Sequence, residues 1–288
     1  MAVTHEGPPP FERVAIVGVG LIGGSIALGL REAWPAVRIV GVDRPAVLAH
    51  ARGAGAIDRG GADVRDIGNV DLIILAAPVR QNLRLLAELA TSAGLTLVTD
   101  VGSTKRDIVK AAGALGVSSR FVGGHPVGGA ERGGFGFARP DLFRGRPWIL
   151  TPDAATDAAA IARVSALASG LGARPTRVDA TEHDRLMAYV SHLPQLAASA
   201  LMDTVGASAH AAGLRLAGRG LLDTTRLASS PPDVWREICA ANADVLADAL
   251  DALIERLSEM RADLHRGEAV EAIFDGAARW RAELVKGD

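Results

Sequence analysis

A single cysteine, Cys239, is the only thiol in this chain. It excludes an internal disulfide and fits a reducing, cytoplasmic setting. Lysine is almost absent: it stands only at 105, 110 and 286, so arginine carries nearly all the positive charge. Tyrosine occurs once, and aromatic residues make up 4% of the chain. No uncharged apolar run reaches the roughly 18 residues that a membrane span needs. The polar, proline-rich Met1–Pro10 segment lacks the basic and apolar regions of a secretion signal and is expected to be a flexible N-terminus, residues 1–12. Neither charge sign dominates. With 31 Lys+Arg against 33 Asp+Glu the net charge is −2, which gives no basis for a nucleic-acid or acidic-membrane partner. Closely spaced His, Cys, Asp and Glu residues are also missing, so no metal is expected. No repeat or long low-complexity tract stands out.

What is present is apolar. The chain is 49% hydrophobic and 22% charged over 288 residues, enough for about two domains with sizeable cores. Arg13–Val17, Val37–Val42, Leu72–Ala76 and Thr96–Thr99 read as short buried strands. Ile26–Ala33, Gln81–Thr91 and Lys105–Leu115 read as the helices between them. Arg146–Leu150 and Ala173–Val178 read as late strands around a helix from Ala154 to Ser169. Strands alternating with helices predict an α/β fold with a doubly wound parallel sheet over residues 13–177. From 178 to 288 the apolar residues recur at helical spacing, interrupted at Gly218–Asp233, and predict an all-helical domain. Val234–Leu257 reads as one helical run. Long apolar helices of this kind commonly bury one another across a homodimer.

Gly18-x-Gly20-x-x-Gly23 falls between a predicted strand and a predicted helix, and Asp43 lies 20 residues beyond Gly23 at the end of the next strand. That is the dinucleotide fingerprint. The turn lets Gly18, Gly20, Leu21, Ile22 and Gly23 approach a pyrophosphate, and the helix N-terminus offers it N–H groups and partial positive charge. Asp43 suits ribose hydroxyls and repels a 2′-phosphate, which favours NAD. Arg44 beside it keeps NADP open. Ala76 and Pro78 end the next strand of the crevice and are expected beside the cofactor.

Two segments carry candidate chemistry. Ser103, in Asp100-Val101-Gly102-Ser103-Thr104-Lys105, follows a strand end; it is read as facing the nicotinamide, with Ser103 or Thr104 also able to cap the next helix. His125, in Gly123-Gly124-His125-Pro126, is read as lying in a glycine-rich turn at the same crevice. There a histidine can take a proton near neutral pH.

In order, GVGLIGGS, AAPVRQN, TDVGSTK, GGHPVGGAERGGF, EHDRLMAYVSHLPQ and LLDTTRLASSPPDVW resemble the prephenate/arogenate dehydrogenase family, from about Arg13 to Trp235. The family implies a Rossmann-type domain followed by a helical dimerisation domain. It also implies an NAD-dependent oxidative decarboxylation of a 4-hydroxycyclohexadiene carboxylate. By this resemblance His125 is the base for the C4 hydroxyl and Ser103 orients it. His192, beside the helix kink expected at Pro194, binds substrate with Gln195. Arg226 clamps a carboxylate, and Asp223 orients Arg226. Glu131 gates the pocket, pairs with an arginine, or is a solvated loop charge. Trp235 is read as core packing or a pocket wall, Tyr189 as packing, and His183-Asp184 as a helix start.

Ser191–Gln195 holds no acid to match an ammonium, which favours prephenate over arogenate. Dual use and a 4-amino-4-deoxyprephenate substrate stay open. Rival classes are a hydroxy-acid or imine oxidoreductase, which would want a lysine in the second domain, and a non-catalytic NAD sensor. No regulatory domain is expected to follow the helical domain, and any inhibition by tyrosine is expected to be competitive.

Overall fold

A computed structural model describes residues 7–92, 96–129 and 132–286 of the chain. Its first half alternates strand and helix. β1 (Arg13–Val17) leads into α1 (Leu21–Ala33), β2 (Arg38–Val42) into α2 (Pro45–Gly53), and a short β3 (Arg59–Gly61) follows. β4 (Leu72–Leu75), α3 (Val79–Ser92), β5 (Leu97–Asp100), α4 (Arg106–Ala114) and β6 (Phe121–Pro126) come next. β7 (Pro147–Thr151), α5 (Ala158–Gly170) and β8 (Arg174–Arg177) complete the sheet.

The strand order is β3-β2-β1-β4-β5-β6-β7-β8. It reverses between β1 and β4, the position where open α/β sheets bind ligands beyond their strands' carboxyl ends. The central strands are apolar throughout because helices cover both faces. Ile16, Ile74 and Leu72 pack with α1 and α5 on one side, and Val98, Leu75 and Ile73 with α3 and α4 on the other. Each side chain so buried contributes about 1.5–3 kcal/mol.

The sheet departs from the expected all-parallel arrangement at one place: β7 runs antiparallel to β6. Among the described residues the connection holds only a single 3₁₀ turn, Phe135–Phe137, and no α-helical crossover of the kind that joins parallel strands. The α5 crossover then restores parallel pairing between β7 and β8. α2 and β3 were not anticipated, since β3 is only Arg-Gly-Gly and shows no apolar run.

Beyond β8 the described elements are helical: α6 (Ala180–Met187), α7 (Leu193–Leu214), α8 (Arg219–Thr224), α9 (Pro232–Ala241), α10 (Ala243–Ala262) and α11 (Glu268–Lys286). Two features differ from the pattern read in the sequence. The segment expected to be irregular contains α8 and a 3₁₀ turn at Arg226–Ser229. The run expected as one helix across Val234–Leu257 breaks at Asn242, whose φ of −130° separates α9 from α10. Among the described residues no helix is long and apolar enough to cross a membrane.

Candidate active site

Gly18 turns the chain out of β1 with φ +96°, and a Cβ there would sit 2.6 Å from the Ala76 carbonyl carbon. Only glycine accepts both conditions. Gly20, at the N-cap of α1, is the opposite case: a Cβ there would meet nothing of the protein within 4 Å. No side chain caps α1, so its first N–H groups are left for an anion. Leu21 and Ile22 form the first turn of the helix, and Gly23 is buried within it. Asp43 Oδ2 accepts the Val19 N–H at 2.7 Å, and Oδ1 accepts the Arg44 N–H at 2.7 Å. The carboxylate is thereby held at the rim of the glycine turn. The Arg44 side chain is 86% exposed, with its Nε 3.9 Å from Asp43 Oδ1. Ala76 packs beneath Gly18, and exposed Pro78 precedes α3. Asn82, which no sequence reading singles out, is buried and pins this turn by donating to Leu75 O and accepting from Ala77 N. Open space over Gly20 beside an uncapped helix terminus fits a dinucleotide's pyrophosphate.

His125 lies inside β6, not in a turn after it. The glycines before it serve strand packing: a Cβ on Gly124 would stand 2.6 Å from Asp100 O. β6 pairs with β5 only through Phe121 and Val122, so His125 projects beyond the carboxyl end of β5, paired across to Ile149 of β7.

The partner of His125 is His183 on α6. His125 Nδ1 lies 2.8 Å from His183 Nε2, and His183 Nδ1 lies 2.8 Å from Asp184 Oδ1. His183 and Asp184 are wholly buried. They do not start α6; Asp179 caps that helix, accepting from Thr181 N and Glu182 N. Asp184 instead caps a different helix. Its Oδ1 accepts the Lys105 N–H at 2.7 Å and its Oδ2 the Arg106 N–H at 2.9 Å, at the N-terminus of α4. Neither Ser103 nor Thr104 caps α4, and no hydrogen bond joins Ser103 to His125 among the described residues. Burial raises the Asp184 pKa, but the His183 bond and the two backbone N–H groups outweigh it, so the net shift is downward and the group stays anionic.

Burial also drives the His125 pKa well below its ordinary value, and the neighbouring His183, Lys105 and His192 push it the same way. His125 is therefore neutral at neutral pH, as a base must be.

His192 occupies a π-helical turn, Ala188–His192, immediately before α7. Pro194 has no N–H to give the Val190 carbonyl, and the helix answers by widening. His192 is 1% exposed and edge-on to Trp235, with ring centroids 5.9 Å apart. Its Nε2 is buried without a partner among the described residues, and its Nδ1 lies 3.5 Å from Asn242 Nδ2. Asn242, also unmarked in the sequence, donates to Asp184 O at 2.8 Å and accepts from Arg106 Nη2 at 2.9 Å.

Gln195 is placed differently from a substrate-facing side chain. Its amide nitrogen donates to Leu227 O at 2.7 Å and to Ser199, and its oxygen accepts from Ser230 at 3.0 Å. Both ends are occupied in holding the turn that carries Arg226. Arg226 is exposed and has no side-chain partner among the described residues; in particular no ion pair joins it to Asp223. Tyr189 is 41% exposed and so packs little within the chain. Glu131 lies outside the described residues.

The arrangement is a neutral, buried histidine beside a dinucleotide-type crevice, with a second buried histidine bearing an unpaired nitrogen. Residues 26–176 match the prephenate dehydrogenase nucleotide-binding domain, and residues 179–275 match the prephenate dehydrogenase dimerization domain. The chain belongs to the prephenate dehydrogenase family. It is 36% identical to a prephenate dehydrogenase of Bacillus subtilis, over 90% of this chain and 71% of that protein. It is 32% identical to a cyclohexadienyl dehydrogenase of Zymomonas mobilis, over 87% and 88%. The solved prephenate dehydrogenase of Aquifex aeolicus, in complex with hydroxyphenyl propionate and NAD+, superposes with a TM-score of 0.86 at 31% identity. That match covers 96% of this chain and 98% of the other. These likenesses span both halves of the chain.

Proposed function

We propose that the chain catalyses the NAD-dependent oxidative decarboxylation of prephenate to 4-hydroxyphenylpyruvate. The observation that carries the proposal is His125: buried, neutral, and with one ring nitrogen taken by His183, it leaves Nε2 as the nitrogen for a substrate. Bound NAD supplies the acceptor for the hydride leaving C4 of the diene. As that hydride leaves, His125 Nε2 takes the C4 hydroxyl proton. The bond from the ring to its carboxylate breaks, CO2 departs, and the electron pair left behind makes the ring aromatic as the C4 oxygen becomes a phenolate. Protonated His125 then returns its proton to that oxygen, giving the phenol and the neutral base. Ser103, on the loop before α4, is available to hydrogen-bond the same hydroxyl. His192 Nε2 offers a desolvated donor to an anionic or carbonyl oxygen. Arg226, exposed and with no side-chain partner among the described residues, suits a second carboxylate. Glu131 is retained as a gate to the pocket.

NAD is favoured over NADP because Asp43, held by the Val19 and Arg44 N–H groups, presents a carboxylate that would repel a 2′-phosphate. Prephenate is favoured over arogenate by the names of the Bacillus relative and the Aquifex neighbour. Gln195 does not contribute to that choice, since its amide is spent within the protein. A cyclohexadienyl relative keeps arogenate as the second substrate to test.

A homodimer in the cytoplasm completes the proposal. Ile254, Leu257, Phe274, Trp280 and Leu284 on α10 and α11 are each more than half exposed, more apolar surface than a monomer usually presents. The test is purified protein given prephenate or arogenate, each with NAD or NADP, and followed by the absorbance of the reduced cofactor. Turnover with prephenate and NAD is expected; turnover of neither diene overturns the proposal.

A further inference from the structure

We propose that Asp184 is a positioning residue that fixes the ring protons of His125 and His192 in opposite senses, making one an acceptor and the other a donor at Nε2. The inference rests on the reading of His125 as the base.

The argument starts from groups with only one hydrogen-bonding role. An ionised carboxylate only accepts, and backbone N–H groups and guanidinium only donate. Asp184 is held as the anion by Lys105 N and Arg106 N, so the ring nitrogen facing it, His183 Nδ1, must carry a proton. With its single ring proton at Nδ1, His183 has its lone pair at Nε2. That nitrogen faces His125 Nδ1 at 2.8 Å, so His125 Nδ1 must be the donor. The lone pair of neutral His125 is left at Nε2, where a base needs it.

The second branch leaves Asp184 through its backbone carbonyl. Arg106 Nη2 donates to the Asn242 amide and can accept nothing, so the atom facing it is Oδ1. The amide is thereby oriented with Nδ2 toward Asp184 O at 2.8 Å and His192 Nδ1 at 3.5 Å. An N–H donor facing His192 Nδ1 requires a lone pair there, and the proton of neutral His192 sits on Nε2. That nitrogen is buried and unpartnered, so the proton is a desolvated donor aimed at whatever enters. An unmatched buried donor is costly, and an incoming acceptor relieves the cost. The part of a substrate that reaches His192 must therefore present an oxygen lone pair; an ammonium there would set donor against donor. One residue thus ties the proton-accepting and the anion-binding histidines to a single frame, which explains why α4, α6 and the start of α10 meet at Asp184.

The experiment is nitrogen-15 NMR of histidine-labelled full-length protein without substrate. It is expected to report His125 protonated at Nδ1 and His192 at Nε2. A His125 ring protonated at Nε2 in the wild type overturns the proposal whether or not any variant folds. Asp184→Asn removes the anion; it should erode the Nδ1–H form of His125 and lower kcat at least about tenfold, with KM little changed. His183→Gln, whose side-chain oxygen can still accept from His125, should retain more turnover than His183→Leu. Asn242→Asp offers only acceptors; it should move the His192 proton to Nδ1 and raise KM while leaving the His125 signal in place. Unchanged spectra and kcat in Asp184→Asn overturn the assignment. If the wild-type rings carry their protons as proposed and neither diene turns over, the functional reading fails and the proton assignment stands.

Discussion

Lys105 Nζ and the Asp100 carboxylate form an ion pair shut away from solvent, and between them they hold both ends of Gly124. The Lys105 ammonium donates to Gly124 O at 2.7 Å, and Asp100 Oδ1 accepts the Gly124 N–H at 3.1 Å. Gly124 is the residue before His125, so a buried pair between β5 and α4 sets where the β6 backbone delivers the base.

Breaking that pair from one side should be costly. Lys105→Met leaves Asp100 as a buried, unpaired charge and should lower stability by about 3–5 kcal/mol in urea unfolding. Replacing both, Lys105→Met with Asp100→Asn, should recover much of that loss, because no charge is then stranded. A double variant no more stable than the single one counts against the ion pair as the cause.

Two glycines separate fold from cofactor binding. Gly18→Ala forces a φ of +96° on a residue with a Cβ and drives that Cβ to 2.6 Å from the Ala76 backbone, so the protein without cofactor should lose stability. Gly20→Ala meets open space; melting without cofactor should be unchanged, while NAD affinity, measured by calorimetry, should fall steeply. Equal melting losses in the two variants would contradict this division.

Much of the first half is legible in the sequence because buried parallel strands are uninterrupted apolar runs and the glycine turn has fixed spacing. His125 and its position past β5 follow from the same pattern. Its setting does not: Gly123 and Gly124 look like a turn, and only the contact of Gly124 with Asp100 O reveals a strand that must pass close to its neighbour. His183, 58 residues from His125, and Asp184, 79 from Lys105, join elements that no periodicity links. Asn242 sits in a run with helical spacing, and its side-chain bonds break the helix there. Antiparallel β7 is equally unmarked, since strand direction is set by the connection and not by the strand's own residues.

Acid should expose the cost of keeping the histidines neutral. Burial lowers the His192 pKa from 6.5 to about 4, with His183 helping and Asp184 opposing. Between those two values the unfolded chain binds a proton that the folded chain refuses. Stability is therefore full above pH 6.5 and falls as pH falls, by on the order of 3 kcal/mol across the window. His125, lowered in the same direction, adds to the slope. Urea unfolding at about pH 7 and about pH 5 should show a smaller difference for His192→Gln than for the wild type. An equal difference would remove His192 as a source.

The division of labour across the site is tested by His125→Asn against Arg226→Ala. Asparagine at 125 cannot take up a proton, so kcat should collapse by about 10²–10⁴-fold, the usual worth of a general base. KM should stay close to the wild-type value, since the residue acts on a proton as hydride departs. The Arg226 side chain is exposed and makes no hydrogen bond or ion pair among the described residues, so Arg226→Ala should leave folding intact and raise KM, with kcat changed far less. Gln195→Leu is the informative third variant. It frees the turn at Leu227 without removing the guanidinium, and it should raise KM by less than Arg226→Ala does. If Gln195→Leu leaves KM unchanged while Arg226→Ala raises it, the turn holds Arg226 without help from Gln195. If His125→Asn keeps near-normal kcat at its own pH optimum, the base lies elsewhere.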